Sequence, residues 1–237
     1  MALIIHIETS AKNCSVALSL DGQLLFNKVD TAGLSHSVQL CLFVDEALKV
    51  VESKGRKLDA VAVSSGPCSY TGLRIGVSLA KGVCYALDIP LISVPTLDLL
   101  ADEVRRTKAL SSETYICPLV DARRIEVYTA LYDNDCTMLH PVSAVIIDEK
   151  TFEKELENHP VWFVGDGAEK CSTIIRSENA KFDGQIVPLA ESMVPLAEKK
   201  YLEQKFEDVA YFEPFYLKDF VATVSKKSLI PAAPVQK

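Results

Sequence analysis

The sequence predicts an α/β protein of two tandem lobes, each with the element order βββαβαβα. Three observations predict it. Two hairpins, turned at Asp21-Gly22 and at Asp133-Asn134-Asp135, each continue from a short apolar strand. Behind each hairpin, helix-spaced and strand-spaced apolar residues alternate. The order of element types in the first half then repeats in the second, although residue identity between the halves is low.

In the first half, Leu3–Glu8 reads as a strand and Cys14–Leu20 as a second. Leu24–Val29, beyond the Asp21-Gly22 turn, is the third. A helix follows from about Ser35 to Ser53, with Leu40, Val44, Ala47, Leu48 and Val51 at helical spacing. The strand Ala60–Ser64, the helix Thr71–Leu87, the strand Leu91–Val94 and a helix near Thr96–Thr107 complete the plan. In the second half, Tyr115–Val120 ends in Asp121, Ile125–Tyr132 is the next strand, and Thr137–Ile147 contains the third. A helix near Glu149–Asn158, the strand Val161–Val164, a helix near Ala168–Ser177, a strand at Gln185–Val187 and a helix at Met193–Phe206 follow. We expect residues 1–108 to form the N-terminal lobe and 109–208 the C-terminal lobe. Residues 209–220 return to the first lobe, and 221–237, with three Lys, two Pro and little pattern, form a mobile tail.

Residues 66–76, Gly-Pro-Cys-Ser-Tyr-Thr-Gly-Leu-Arg-Ile-Gly, make a strand–turn–helix joint. It is not a phosphate loop: Leu73 and Arg74 stand where Lys and Ser/Thr are needed. Ser69 or Thr71 can cap the helix amides. Gly72, Gly76, Ala80 and Cys84 recur at every fourth position on one helix face, and a second face carries Leu73, Val77, Ala80, Cys84 and Leu87. Glycine inside a helix costs about 1 kcal/mol relative to Ala, so the small row implies close approach of another backbone, within the lobe or on a partner.

Composition narrows the class. Of 237 residues, 49% are hydrophobic and 24% charged, enough to bury a core. A net charge of −7 argues against autonomous nucleic-acid binding, which calls for a basic face. The seven cysteines form no Cys-x-x-Cys pair, and their odd count and the lack of a secretory start predict reduced thiols and a cytoplasmic location. No apolar run reaches the ~18–20 residues of a membrane span. Met1–Ser10 lacks a basic n-region and contains Glu8, so it reads as a strand.

The doubled plan is that of the RNase H-like lobes of the actin, sugar-kinase and heat-shock ATPase superfamily. There, acids at the first strand ends hold metal and water in the cleft. Glu8 and Asp121 occupy those strand ends here; they can bind magnesium together or each cap a turn. The loop Glu8-Thr9-Ser10-Ala11-Lys12-Asn13 has no glycine, which argues against a phosphate site. Glu8, Thr9, Ser10 and Asp121 are therefore the candidate cofactor-binding positions, for weak nucleotide binding. Cys68 reads as structural rather than nucleophilic, His36 as a solvent-facing first-turn residue, and Asp121-Ala122-Arg123-Arg124 as a salt-bridged turn.

Five motifs resemble the TsaB (YeaZ) family, from Ile4 to about Lys218. They are "IETSAKNCSVAL", "SSGPCSYTGLRIGVSLAKGV", "IPLISVPTLDLLA", "DARRIEVYTALY" and "EPFYLKD". The second is the most specific; family members usually read GPGSFTG there, so Cys68 and Tyr70 are departures, and Glu8 replaces the common Asp. The resemblance implies a non-catalytic paralogue of TsaD in the synthesis of threonylcarbamoyladenosine on tRNA. TsaD-like chains carry a His-x-x-x-His metal pair where this chain has Thr96 and Leu100, so no metal site and no catalytic residue is expected. The implied partners are a TsaD-type transferase, a TsaE-type ATPase and a second copy of this chain, with tRNA contacted only through the complex. The resemblance places the partner interface on the first two helices, with His36, Leu40, Val44, Gly72, Ile75, Gly76, Leu79 and Ala80 as candidates. The competing reading is an independent hydrolase, glycoprotease-like or a weak ATPase, working in the inter-lobe cleft.

Overall fold

The computed structural model describes residues 2–31, 36–68 and 70–217. Four expectations fall outside those residues: the helix start at Ser35, the cap at Ser69, residues 218–220 of the returning segment, and the tail 221–237.

The first half contains β1 (Leu3–Glu8), β2 (Cys14–Leu20), β3 (Gln23–Asp30), α1 (His36–Ser53), β4 (Ala60–Gly66), α2 (Tyr70–Leu87), β5 (Leu91–Pro95) and α3 (Thr96–Thr107). The second contains β6 (Tyr115–Asp121), β7 (Glu126–Tyr132), β8 (Met138–Ile146), α4 (Glu153–Asn158), β9 (Val161–Val164), α5 (Ala168–Ser172), β10 (Ala180–Asp183), a 3₁₀ turn (Glu191–Met193) and α6 (Val194–Leu202). Two five-stranded sheets result, in the orders β3-β2-β1-β4-β5 and β8-β7-β6-β9-β10. In each, the first three strands are antiparallel and the last two join in parallel. The predicted α/β plan of two equivalent halves is present.

The first hairpin turns where expected because Asp21 and Gly22 both adopt left-handed φ, +48° and +74°, as a two-residue hairpin turn requires. Along β1, side chains alternate between two cores. Leu3, Ile5 and Ile7 join Leu40, Val44, Ala47 and Val51 of α1 and Val77, Ala80 and Cys84 of α2. Ile4, on the other face, packs with Met193 and Ala197 around α6 and with Leu99 of α3.

The lobes exchange their last helices. The α3 residues Leu97, Leu100, Ala101 and Val104 pack on Ile116, Ala130 and Tyr132 of the second sheet. Helix α6 returns to the first sheet, so its packing departs from the expected division at 208. The second-half helices are shorter than expected: α4 begins only at Glu153, α5 stops at Ser172, and α6 starts after a 3₁₀ turn. The last strand lies at Ala180–Asp183, not at Gln185–Val187. Phe182 stacks on Phe163 of β9 at 5.0 Å, and Asp183 Oδ1 then accepts the Gln185 amide and ends the strand.

Candidate functional site

Two surfaces compete for the function: the cleft between the lobes, and the outer face of α1 and α2. The cleft, about 740 Å³, lies between the ends of β1 and β6 and the start of α2. From the first lobe it is lined by Ser10, Ala11, Lys12, His36, Thr71, Gly72 and Ile75, and from the second by Val120, Asp121, Arg123 and Asp166.

Glu8 and Thr9 stand behind this wall rather than on it, which corrects their place among the candidate cofactor residues. The cause is a close approach of α2 to β1. A Cβ at Gly76 would lie 2.3 Å from Thr9 Oγ1, so only glycine admits the contact. Thr9 Oγ1 then donates to the Gly72 carbonyl at 2.9 Å. Glu8 is sealed beneath, its Oε1 accepting the Ser10 amide at 2.5 Å and its Oε2 without a hydrogen-bond partner. Burial raises the Glu8 carboxyl above the usual carboxylate range, against the Ser10, Ser64 and Thr9 hydrogen bonds.

Asp121 is the opposite case. Partial burial opposes its charge, but the Lys170 ammonium and the Arg123 amide, 2.8 Å from Oδ1, overcome this and hold it low. Lys170 also donates to the Glu126 carbonyl at 2.6 Å, so it is fixed in place. A divalent cation at Asp121 would have to displace that ammonium. The salt-bridged turn therefore exists with a different partner: Lys170 of α5 supplies the charge, while Arg123 contributes its backbone amide. Asp166 accepts the Asp121 amide at 2.8 Å, and burial raises its carboxyl. Lys12 favours the charged forms of Asp121 and Asp166 from across the cleft. Sequence reasoning missed Asp166 and Lys170. The Gly165-Asp166-Gly167 turn after β9 was their only local signal. Among the described residues, no cluster of three or more His, Cys, Asp and Glu side chains is arranged to hold a metal.

His36 Nε2 donates to the Ala11 carbonyl at 3.1 Å, tying the start of α1 to the loop after β1 instead of facing solvent freely. Cys68 is buried, and that burial pushes its thiol up, away from nucleophilic thiolate. It is not among the left-handed non-glycine residues, so the usual glycine is dispensable there. All seven cysteines are free, and burial also raises the Cys14, Cys84 and Cys171 thiols to about 11 and Cys117 to about 12.

The interface candidates divide. Leu40, Val44, Gly72, Gly76 and Ala80 are buried inside the first lobe and offer nothing to a partner. They sit on the sheet-facing sides of their helices, where helical spacing alone could not separate a core stripe from a docking stripe. His36, Ile75 and Leu79 remain partly accessible. The exposed apolar side chains are one step around the helix: Val38 at 57% and Leu42 at 52% on α1, with Cys41 between them. With the half-buried Ile75 and Leu79 of α2, they are apolar side chains on the outer sides of the two helices that the described residues leave accessible.

Known proteins resemble this chain in sequence and in fold. Residues 30–226 match the family model "TsaD: tRNA N6-adenosine threonylcarbamoyltransferase". The tRNA threonylcarbamoyladenosine biosynthesis protein TsaB of Escherichia coli is 30% identical over 225 residues, 92% of this chain and 96% of that one. The TsaB of Bacillus subtilis is 34% identical over 166 residues, 68% and 70% of the two chains. Among solved structures, a Pseudomonas aeruginosa protein described as similar to peptidase YEAZ superposes with a TM-score of 0.78. It is 24% identical, and the match covers 92% of this chain and 100% of that one. That likeness bears on fold alone.

Proposed function

The chain belongs to the TsaB family, and from that premise we propose that it is the non-catalytic subunit that pairs with a TsaD-type transferase. It takes part in tRNA threonylcarbamoyladenosine biosynthesis, the process its relatives are named for. In our reading the transferase carries the chemistry and this chain holds it in working form, through the apolar face of α1 and α2.

That face is the observation that carries the proposal. Val38 and Leu42 are exposed, and Ile75 and Leu79 half-buried, on two 18-residue helices whose opposite sides are locked into the first sheet. Exposed apolar side chains on such helices are explained by a partner that buries them. The positions where the resemblance places the TsaD metal histidines support the same reading. Thr96 pairs its hydroxyl with Ser64 Oγ at 2.8 Å, and Leu100 fills the core between α3 and the second sheet. Both are committed to packing.

The hydrolase reading draws on the cleft between the lobes. Its residues fit the work poorly. Glu8 is sealed off, Asp121 is neutralised by Lys170, and the Cys68 thiol is buried. The test is threonylcarbamoyladenosine formation on tRNA by TsaC-, TsaD- and TsaE-type proteins, with and without this chain. Product that depends on the chain, and survives Asp121→Asn, supports the subunit role. Product formed equally well without it ends that proposal.

A further inference from the structure

The glycine joint that opens α2 and the C-terminal motif that begins at Glu213 lie far apart in sequence and touch in the fold. The chain from 207 to 217 runs as a strap along α2, against the direction of the helix. It starts at β5, where the Glu207 amide donates to the Leu91 carbonyl at 2.9 Å and the Ser93 hydroxyl donates to the Glu207 carboxylate. Lys81 Nζ, on α2, then donates to the carbonyls of Ala210 at 3.1 Å and Phe212 at 2.9 Å. Arg74, two turns earlier, donates to the Tyr216 hydroxyl at 3.2 Å and lies 5.7 Å from that ring's centroid. The Phe215 amide ends the run on the Ser65 carbonyl of β4, at 2.8 Å.

There the strap meets the joint backbone to backbone. Gly66 has a φ of +98°, and a Cβ on it would lie 2.8 Å from Leu73 Cδ1 and 3.0 Å from the Phe215 carbonyl oxygen. Leu73 packs in turn with Cys68, Leu97 and Leu100. The strap thus closes over the joint, and just beyond the joint come Thr71, Gly72 and Ile75 of the cleft wall.

The strap is held differently from the elements it crosses. Val209 and Phe212 pack, partly buried, on the first core, but Tyr211 is 84% and Phe215 47% exposed. Its tie of sheet type is the bridge at Leu91, and the other ties hang on two α2 side chains and one amide. A segment with little buried apolar surface and few ties opens at a lower free energy than the core beneath it.

We infer that the strap is a latch. It releases as a unit, and its release loosens the joint and the adjoining cleft wall while the rest of the first lobe stays folded. Four free cysteines can report this. Cys68 is buried at the joint, Cys84 on the sheet-facing side of α2, Cys14 in β2 and Cys117 in β6. An opening confined to the joint uncovers the first and spares the other three.

The experiment labels the full chain with N-ethylmaleimide under native conditions and reads each cysteine's rate by mass spectrometry of its peptide. Lys81→Met removes both bonds to the strap carbonyls, and Phe215→Pro removes the amide that holds the strap to Ser65. In each variant Cys68 labels at least about tenfold faster than in the parent, because labelling follows the population of the open form, while Cys14, Cys84 and Cys117 stay within about twofold. If Cys68 stays within twofold of the parent in both variants, the strap does not govern the joint and the inference falls. If all four cysteines speed up together, the strap belongs to the global fold and is no latch, which overturns the inference equally.

Discussion

The two lobes share one strand order and differ in what their strand ends and helices do with it. In the first lobe, α1 and α2 run 18 residues each; their counterparts α4 and α5 run six and five. The first lobe closes α2 onto β1 and buries Glu8, whose carboxyl that burial raises. The second leaves Asp121 half exposed and pairs it with Lys170. Equivalent acids thus meet opposite electrostatics because one lobe kept a long helix over its strand end and the other did not. The difference teaches that the first lobe is built to present helices, and that the cleft between the lobes is not equipped symmetrically for chemistry.

The sharpest way to break the comparison is at Gly76. Gly76→Val forces side-chain atoms into the Thr9 and Ile7 side chains and pushes α2 off β1, which costs about 3 kcal/mol as overpacking. Urea titration reads that loss directly. An unchanged midpoint would mean that α2 does not seal Glu8.

The next effect is pH-dependent and belongs to the first lobe. His6 is fully buried, Nε2 on Ser19 Oγ at 2.8 Å and Nδ1 without a partner, and burial lowers its pKa to about 3. The unfolded chain binds this proton near pH 6.5 and the folded chain does not. Stability is therefore whole above about pH 6.5 and falls by up to about 1.4 kcal/mol per pH unit from there toward pH 3. Raised carboxyls such as Glu8 act with the opposite sign, regaining stability as pH falls through their folded values. The slope is thus read as the difference between the parent and His6→Leu, in urea unfolding at pH 7, 6 and 5. A variant with the parent's slope would refute the assignment.

Two milder substitutions test the strand ends themselves. Glu8→Gln keeps the Oε1 acceptor and removes the penalty that burial places on the charged form, so stability at pH 7 rises by roughly 1 kcal/mol. Asp121→Asn removes the charge partner of Lys170 at a half-exposed site and costs under about 1 kcal/mol, less still in high salt. If both changes were to act alike, the electrostatic contrast between the lobes would be lost.

Much of this was legible beforehand. Hairpins with Asp-Gly chemistry, apolar runs of strand length and helical spacing in α1, α2 and α3 are local signals, and they survive into the structure. The last strand was misplaced because Ala180–Asp183 is chosen by pairing with β9 and by Phe182 stacking on Phe163, contacts far apart in sequence. The site was harder to read. Periodicity marks Leu40, Val44 and Ala80 as one-sided but does not say which side meets a partner. Lys170 reaches Asp121 only because α5 folds beside the end of β6.

The sequence by itself determined the doubled α/β plan, its turns and the family resemblance, because these reside in short-range pattern and in motif identity. Only the tertiary structure decided that Glu8 is sealed and Asp121 neutralised. It also decided that Gly76 serves the core while Gly82 faces open space, and that the last helices change lobes. The physical reason is that burial and charge pairing are set by neighbours brought from distant parts of the chain. A residue's spacing names a face, and only the fold says what that face meets.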